Sequence, residues 1–189
     1  MYIKYFKRIC DIILAIILII ITLPIMIITG IIIYFNLGKP IFYEVTPREG
    51  RYKKPFQMYK FRTKTLNTRG MPDYIRYTKI SKILDITRIN ELPQLFNILK
   101  GDMSFVGPRP FIINEILPPG EISYKRYLMR PGVTGLAQAS GAQTINHKDK
   151  LKYDELYYDN ISFWYDLKII LKTPVWLIKY LIKYLKKTN

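Results

Sequence analysis

Between Asp11 and Lys39 the chain carries no formally charged side chain, and the run from Ile12 to Phe35 is mostly apolar. As one helix at about 1.5 Å per residue it is roughly 36 Å long, enough to cross the hydrocarbon core of a bilayer. A cleavable secretory signal predicts a shorter apolar run with a small-residue cleavage site behind it, and the sequence offers neither. An ordinary spanning helix meets two objections. Pro24 lies mid-run, where it removes a backbone donor and clashes with the preceding turn, so a bend is expected. Both flanks are basic, with Lys4, Lys7 and Arg8 before and Lys39, Arg48, Arg51, Lys53 and Lys54 after. The positive-inside bias then sends neither flank outward. A re-entrant helix that bends at Thr22-Leu23-Pro24 and leaves by the face it entered satisfies both.

The net charge of +16 over 189 residues calls for an anionic partner: nucleic acid, anionic lipid or a phosphorylated substrate. Hydrophobic content of 49% beside that charge suits a membrane-surface protein better than a nucleic-acid module. The lone Cys10 excludes an internal disulfide, and the lone His147 leaves no Cys/His zinc cluster. A catalytic metal would need oxygen ligands, which favours Mg²⁺.

The densest chemistry lies in Asn90 to Pro110, NELPQLFNILKGDMSFVGPRP. Leu92, Leu95, Phe96 and Leu99 repeat at helical spacing, with Asn90 as expected N-cap, Pro93 in the first turn and Gly101 as the stop. Glu91 then stands at a helix N-terminus, where amide groups favour anions. Pro108 and Pro110 stiffen the backbone around Arg109 and hold its guanidinium ready for a phosphate. A carboxylate and an aimed guanidinium around an anion site suggest metal-assisted phosphoryl chemistry. The bland alternatives are an Asn90 that only caps, an Asp102 that only turns the chain beside Gly101, and a solvated Gln94.

Elsewhere, residues 40 to 63 hold β-prone runs on either side of Glu49-Gly50, the pattern of a hairpin whose Pro47 favours an edge strand. Lys60 and Arg62 follow as a basic pair, phosphate ligands or a solvated face. Residues 66 to 80 suggest a loop, Ile80 to Leu84 the start of a helix, and Pro118-Pro119-Gly120 a turn. RPGVTGLAQASGA, Arg130 to Ala142, is a glycine loop able to approach a ligand closely, with neither Walker nor dinucleotide spacing. Near the end, Lys168, Lys172, Lys179, Lys183 and Lys187 form one helical stripe beside an apolar face, the pattern of an interfacial helix. Thr173-Pro174 is expected to restart that helix. Asp154, Asp159 and Asp166 are expected to pair with lysines.

Five blocks in order, KRICDIILAIILIIITLPIM, YKFRT, NELPQLFNILKGDMSFVGPRP, RPGVTGLAQASG and YYDNISFWYDLKIILKT, resemble the bacterial sugar transferases, the monotopic phosphoglycosyl transferases. The resemblance covers about residues 4 to 173. It implies an α+β, predominantly helical fold: a re-entrant membrane helix over 1–38 broken at Pro24, a transferase domain with a small β-hairpin over 39–173, and an interfacial helix over 174–189. It implies transfer of a sugar 1-phosphate from a nucleotide diphosphate sugar to polyprenyl phosphate with Mg²⁺, at the cytosolic face of the bacterial inner membrane. Anionic lipid is a further expected partner, and nucleic acid is not one.

In such enzymes an adjacent Asp-Glu pair carries the chemistry, with the Asp as nucleophile. Here Asn90 stands at the Asp position while Glu91 matches, which makes these the catalytic candidates, with Glu91 and Asp102 as metal ligands. Lys60, Arg62 and Arg109 are the expected phosphate ligands, and Gly132, Thr134, Gly135 and Gln138 are expected near substrate. Asp85 replaces a frequent Arg, and Gly141-Ala142-Gln143 replaces Gly-Arg-Asn. Three readings stand: an active enzyme in which Glu91 takes the covalent role or activates the lipid phosphate, with Asp102 or Asp85 helping to hold Mg²⁺; an inactive membrane scaffold or lipid-carrier binder; and a nucleic-acid binder, the weakest.

Overall fold

The computed structural model describes residues 2–43, 47–68, 70–113, 124–141 and 147–188. Pro118-Pro119-Gly120, Ala142 and Gln143 lie outside them. The chain is α+β and predominantly helical, as expected.

Helix α1, Lys7–Leu37, is the long apolar element, and it stays helical on both sides of Pro24. Thr22 Oγ1 donates to the Leu18 carbonyl at 2.7 Å, one turn before the proline. One stripe of α1 is buried, with Ala15, Met26 and Ile33 packing against the rest of the chain. Around the rest of the helix isoleucines stand open, and Ile20 and Phe35 are 69% and 80% exposed. By length and composition α1 is able to cross a membrane.

Polar side chains fasten both ends of α1 to the same folded body. Near its start, Arg8 reaches the Ile98 and Leu99 carbonyls at 2.5 and 2.9 Å, a cation where a helix C-terminus attracts one. Lys7 pairs with Asp166 at 2.5 Å, and Asp11 accepts from Ser104 Oγ and the Phe105 amide. At its end, Arg62 donates to the Leu37, Gly38 and Pro40 carbonyls at 2.6 to 2.7 Å. Arg62 is 1% exposed. It braces a helix end instead of offering itself to a phosphate.

The hairpin around Gly50 is present but short: β1, Arg48–Glu49, pairs antiparallel with β2, Pro55–Phe56. β1 is not an edge, because Glu49 N donates to Phe111 O and Arg48 bridges to Ile112. The expected 66–80 loop contains a short helix, α2, Asp73–Arg76, before α3, Lys79–Ile86, whose Thr78 and Ser81 form a reciprocal cap. A 3₁₀ turn, Ile89–Glu91, leads into α4, Gln94–Lys100. α4 ends at Gly101 with φ +97°, as expected of that glycine. Its start differs, because Asn90 caps nothing and Pro93 occupies the cap position.

Strand β3, Ser104–Val106, runs parallel to β4, Gly132–Thr134. The glycines serve this crossing: a β-carbon on Gly132 would sit 2.1 Å from Gly107 N, and one on Gly135 2.2 Å from Gly107 O. The close approach expected of the glycine loop is therefore to another backbone strand. Helices α5, Leu136–Ala139, and α6, His147–Asp159, precede α7, Phe163–Thr188. α7 passes through Pro174 without restarting, contrary to expectation. Thr173 Oγ1 donates to Ile169 O at 2.8 Å and bonds Thr134 Oγ1 at 2.7 Å. These bonds tie the helix to β4 beside the missing proline donor.

Ile169 packs with Val106, Met129 and Tyr157, so the first part of α7 belongs to the core. Farther along, Leu171, Val175, Ile178 and Ile182 lie exposed, with Lys168, Lys172 and Lys179 near the first of them. Asp166 and Asp159 do pair with Lys7 and Lys125, whereas Asp154 faces an arginine, Arg126, at 3.4 Å.

Candidate active site

A short extended segment carries Lys60 into the middle of the molecule. Tyr59 N donates to Asn97 Oδ1 at 2.8 Å, Phe61 N to Asn90 O at 2.9 Å, and Lys60 O accepts from Tyr43 N at 2.8 Å. Asn97, fully buried in α4, also gives its Nδ2 to Gln57 O at 2.8 Å. This frame fixes the lysine opposite the turn before α4. There Lys60 Nζ lies 3.1 Å from Glu91 Oε1 and 3.9 Å from Asp85 Oδ1. Arg88 approaches the same Glu91 oxygen at 3.2 Å. Arg88 adopts a left-handed backbone, φ +63°, which turns its side chain back towards Glu91 three residues on.

These groups line a cavity of about 280 Å³ whose wall holds five cations, Arg48, Lys60, Lys64, Arg88 and Arg109, against two carboxylates, Asp85 and Glu91. Burial pushes the Glu91 carboxyl up, but Lys60, Arg88 and Arg109 together outweigh it and hold the group below the ordinary carboxylate range. Glu91 is therefore ionised at neutral pH. An excess of cations in a half-enclosed hollow attracts an anionic ligand.

On the other side of Glu91 lies an apolar crevice of about 290 Å³, walled by Leu18 and Thr22 of α1, Leu92, Leu95 and Phe105, and Trp176 and Leu177 of α7. Arg88, Glu91, Gln94, Arg109 and Val133 line both hollows, so the two meet at a carboxylate and two guanidiniums. The side-chain amide of Gln138 faces this crevice, buried and without a partner among the described residues. A polar group left so is costly unless a ligand satisfies it.

The candidates expected from the sequence separate accordingly. Lys60, Glu91, Arg109 and Gly132 line the polar cavity, while Thr134 and Gln138 line the crevice. Gly135 packs on Gly107, and Arg62 belongs to the end of α1. Asn90 is fully buried and outside the cavity lining, its Nδ2 donating to Asp85 Oδ1 at 2.8 Å and its Oδ1 unpartnered among the described residues. Asp102 is not brought to the cavity: it stands beside Lys100 at 3.5 Å and accepts from Asn97. Gln94 is 3% exposed and lines both hollows, not the solvated helix face.

Arg88 could not be found from sequence, because a left-handed arginine leaves no signature. Asp85 was visible as a departure from a pattern and as a candidate aid to holding Mg²⁺, not as a residue joined to Asn90. No cluster of three metal-ligating side chains occurs among the described residues. Mg²⁺ needs only one or two carboxylates when substrate phosphates complete its shell, and Glu91, ionised and at the junction, fits that role.

The family model for bacterial sugar transferases matches residues 2–180. An uncharacterized sugar transferase, EpsL, of Bacillus subtilis is 40% identical over 88% of this chain and 84% of its own. A UDP-glucose:undecaprenyl-phosphate glucose-1-phosphate transferase of Klebsiella pneumoniae is 36% identical over 89% of this chain, and the undecaprenyl-phosphate galactose phosphotransferase of Salmonella typhimurium 33% over 90%. This chain spans only 39% and 40% of those two longer proteins.

Proposed function

The chain belongs to the bacterial sugar transferase family, and from that premise we propose that it moves a sugar 1-phosphate from a UDP-sugar to polyprenyl phosphate, releasing uridine monophosphate. The observation that carries this reading is the meeting of a five-cation cavity with an apolar crevice at Glu91, Arg88 and Arg109. The reaction needs such a junction, because one substrate is a polar diphosphate and the other a phosphate on a long hydrocarbon.

In this reading Lys60, Arg88 and Arg109 bind the diphosphate and stabilise the charge that builds on the departing nucleotide. Glu91 orients Lys60 and Arg88 and is the residue that would hold Mg²⁺, which offsets phosphate charge when bound. The Gln138 amide and Arg109 receive the lipid phosphate at the crevice. Because α1 is clasped at both ends by one folded body, a re-entrant course that keeps the site on the cytosolic face fits better than a straight crossing. The lysines and exposed apolar residues of α7 would rest on anionic lipid. The product is a lipid-linked sugar of the kind that starts a cell-surface glycan.

The test is extraction of lipid after incubating the protein in nanodiscs with polyprenyl phosphate, Mg²⁺ and a panel of UDP-sugars. The expected product by mass spectrometry is a polyprenyl diphosphate sugar from at least one donor. Its absence with every donor sinks the reading.

A further inference from the structure

We propose that Asp85 is the nucleophile of this enzyme, attacking the sugar-bearing phosphorus and carrying the sugar phosphate before the lipid accepts it. The inference rests on the transferase reading above and names the atom that does its first step.

Three side chains near the cavity compete for that role. Asn90 is an amide, fully buried and outside the cavity lining. Glu91 lines the cavity, but Lys60 and Arg88 both sit on its Oε1 at 3.1 and 3.2 Å. Both of these partners are cations, whose charge draws electron density from the whole carboxylate and weakens it for attack. Asp85 lines the cavity with a side chain 30% exposed, against 16% for Glu91. Its hydrogen bonds come from neutral groups: Asn90 Nδ2 at 2.8 Å and Thr63 Oγ1 at 3.4 Å on Oδ1, and Tyr77 Oη at 3.3 Å on Oδ2. Lys60 stands off at 3.9 Å. Oδ2 thus accepts a single long bond, while Asn90 holds the carboxylate through Oδ1. Glu91 keeps the cations, and Asp85 keeps neutral partners.

The step balances without an added reagent. An Asp85 oxygen forms a bond to the sugar-bearing phosphorus as the bond from that phosphorus to the bridging oxygen breaks. The electron pair leaves with uridine monophosphate, and the enzyme holds an acyl phosphate. A lipid phosphate oxygen then attacks the same phosphorus, the acyl oxygen–phosphorus bond breaks, and the Asp85 carboxylate returns.

The experiment uses the full chain in nanodiscs with a UDP-sugar labelled at the sugar phosphate and no lipid acceptor, quenched in acid and digested. The expected result is label on the peptide bearing Asp85, with hydroxylamine leaving a hydroxamate at that residue. Asp85→Asn should lose the label and slow nucleotide release by at least ~1000-fold. Asp85→Glu, which keeps the carboxylate, should retain label at that position. Label mapped to Glu91, or steady turnover once polyprenyl phosphate is added to enzyme that took up no label beforehand, overturns the assignment while leaving the transferase reading intact. Absence of both label and turnover with every donor overturns the two together.

Discussion

The two hollows that meet at Glu91 are built by different means. The polar cavity is assembled largely from nearby stretches, residues 58–64, 85–94 and 103–110, held by backbone bonds and by the buried amides of Asn90 and Asn97. The crevice is assembled from α1, α4 and α7, elements far apart in the chain, and its walls are mostly apolar. The cavity supplies charge and the crevice supplies a path out of water. The difference predicts that substitutions in each should affect a different substrate.

The largest effect is expected at the shared wall. Glu91→Gln removes the group that organises Lys60 and Arg88, and nucleotide release should fall by at least ~1000-fold. A modest decline, measured with folding intact, would break the idea that the hollows meet at this carboxylate. Arg62→Ala tests where the cavity ends. Because it leaves three carbonyls of the α1 terminus unpaired, it should cost about 3 kcal/mol of stability, read by thermal unfolding. Activity per folded molecule should hold, and a selective rise in the KM for UDP-sugar would restore Arg62 to the cavity.

Trp176→Ala should raise the KM for the lipid acceptor by about tenfold while leaving that for the UDP-sugar unchanged, since Trp176 lines the crevice and not the polar cavity. An equal rise in both would erase the distinction. Asp154, outside both hollows, gives the smallest effect. Burial pushes its carboxyl up to about 6, with Arg126 opposing. A raised folded value means stability that is full below the unfolded value of 3.8 and is lost as pH rises through about 6. Asp154→Asn should flatten that slope, by at most ~3 kcal/mol, without changing either KM.

The polar cavity was more legible in sequence than the crevice, and the reason is range. Lys60, Glu91 and Arg109 are charged groups in short, proline-bearing or extended segments, where few apolar alternatives exist. Arg62 looked equivalent to Lys60 because alternate residues of a strand share a face. Among the described residues its segment makes only an isolated bridge, Phe42 to Phe61, so the two cations part company. Gly132 and Gly135 announced a close approach, expected to a ligand, whose partner proved to be Gly107. The run across Thr173-Pro174 misled because its threonine bonds backward to Ile169, not forward as a cap. α1 and its open face were plain from charge spacing alone. The crevice stayed invisible because no local pattern brings Leu18, Leu95 and Trp176 together.

The most direct measurement is uridine monophosphate release by the protein in nanodiscs with Mg²⁺ and a UDP-sugar panel, with and without polyprenyl phosphate. Wild type, Glu91→Gln and Asn90→Asp would run side by side. The account predicts sustained release by the wild type only when the lipid is present, lost in Glu91→Gln, and slowed in Asn90→Asp, where a second carboxylate crowds Asp85. Silence in the wild type with release restored by Asn90→Asp would contradict it, and would mean a transferase disabled at one side chain.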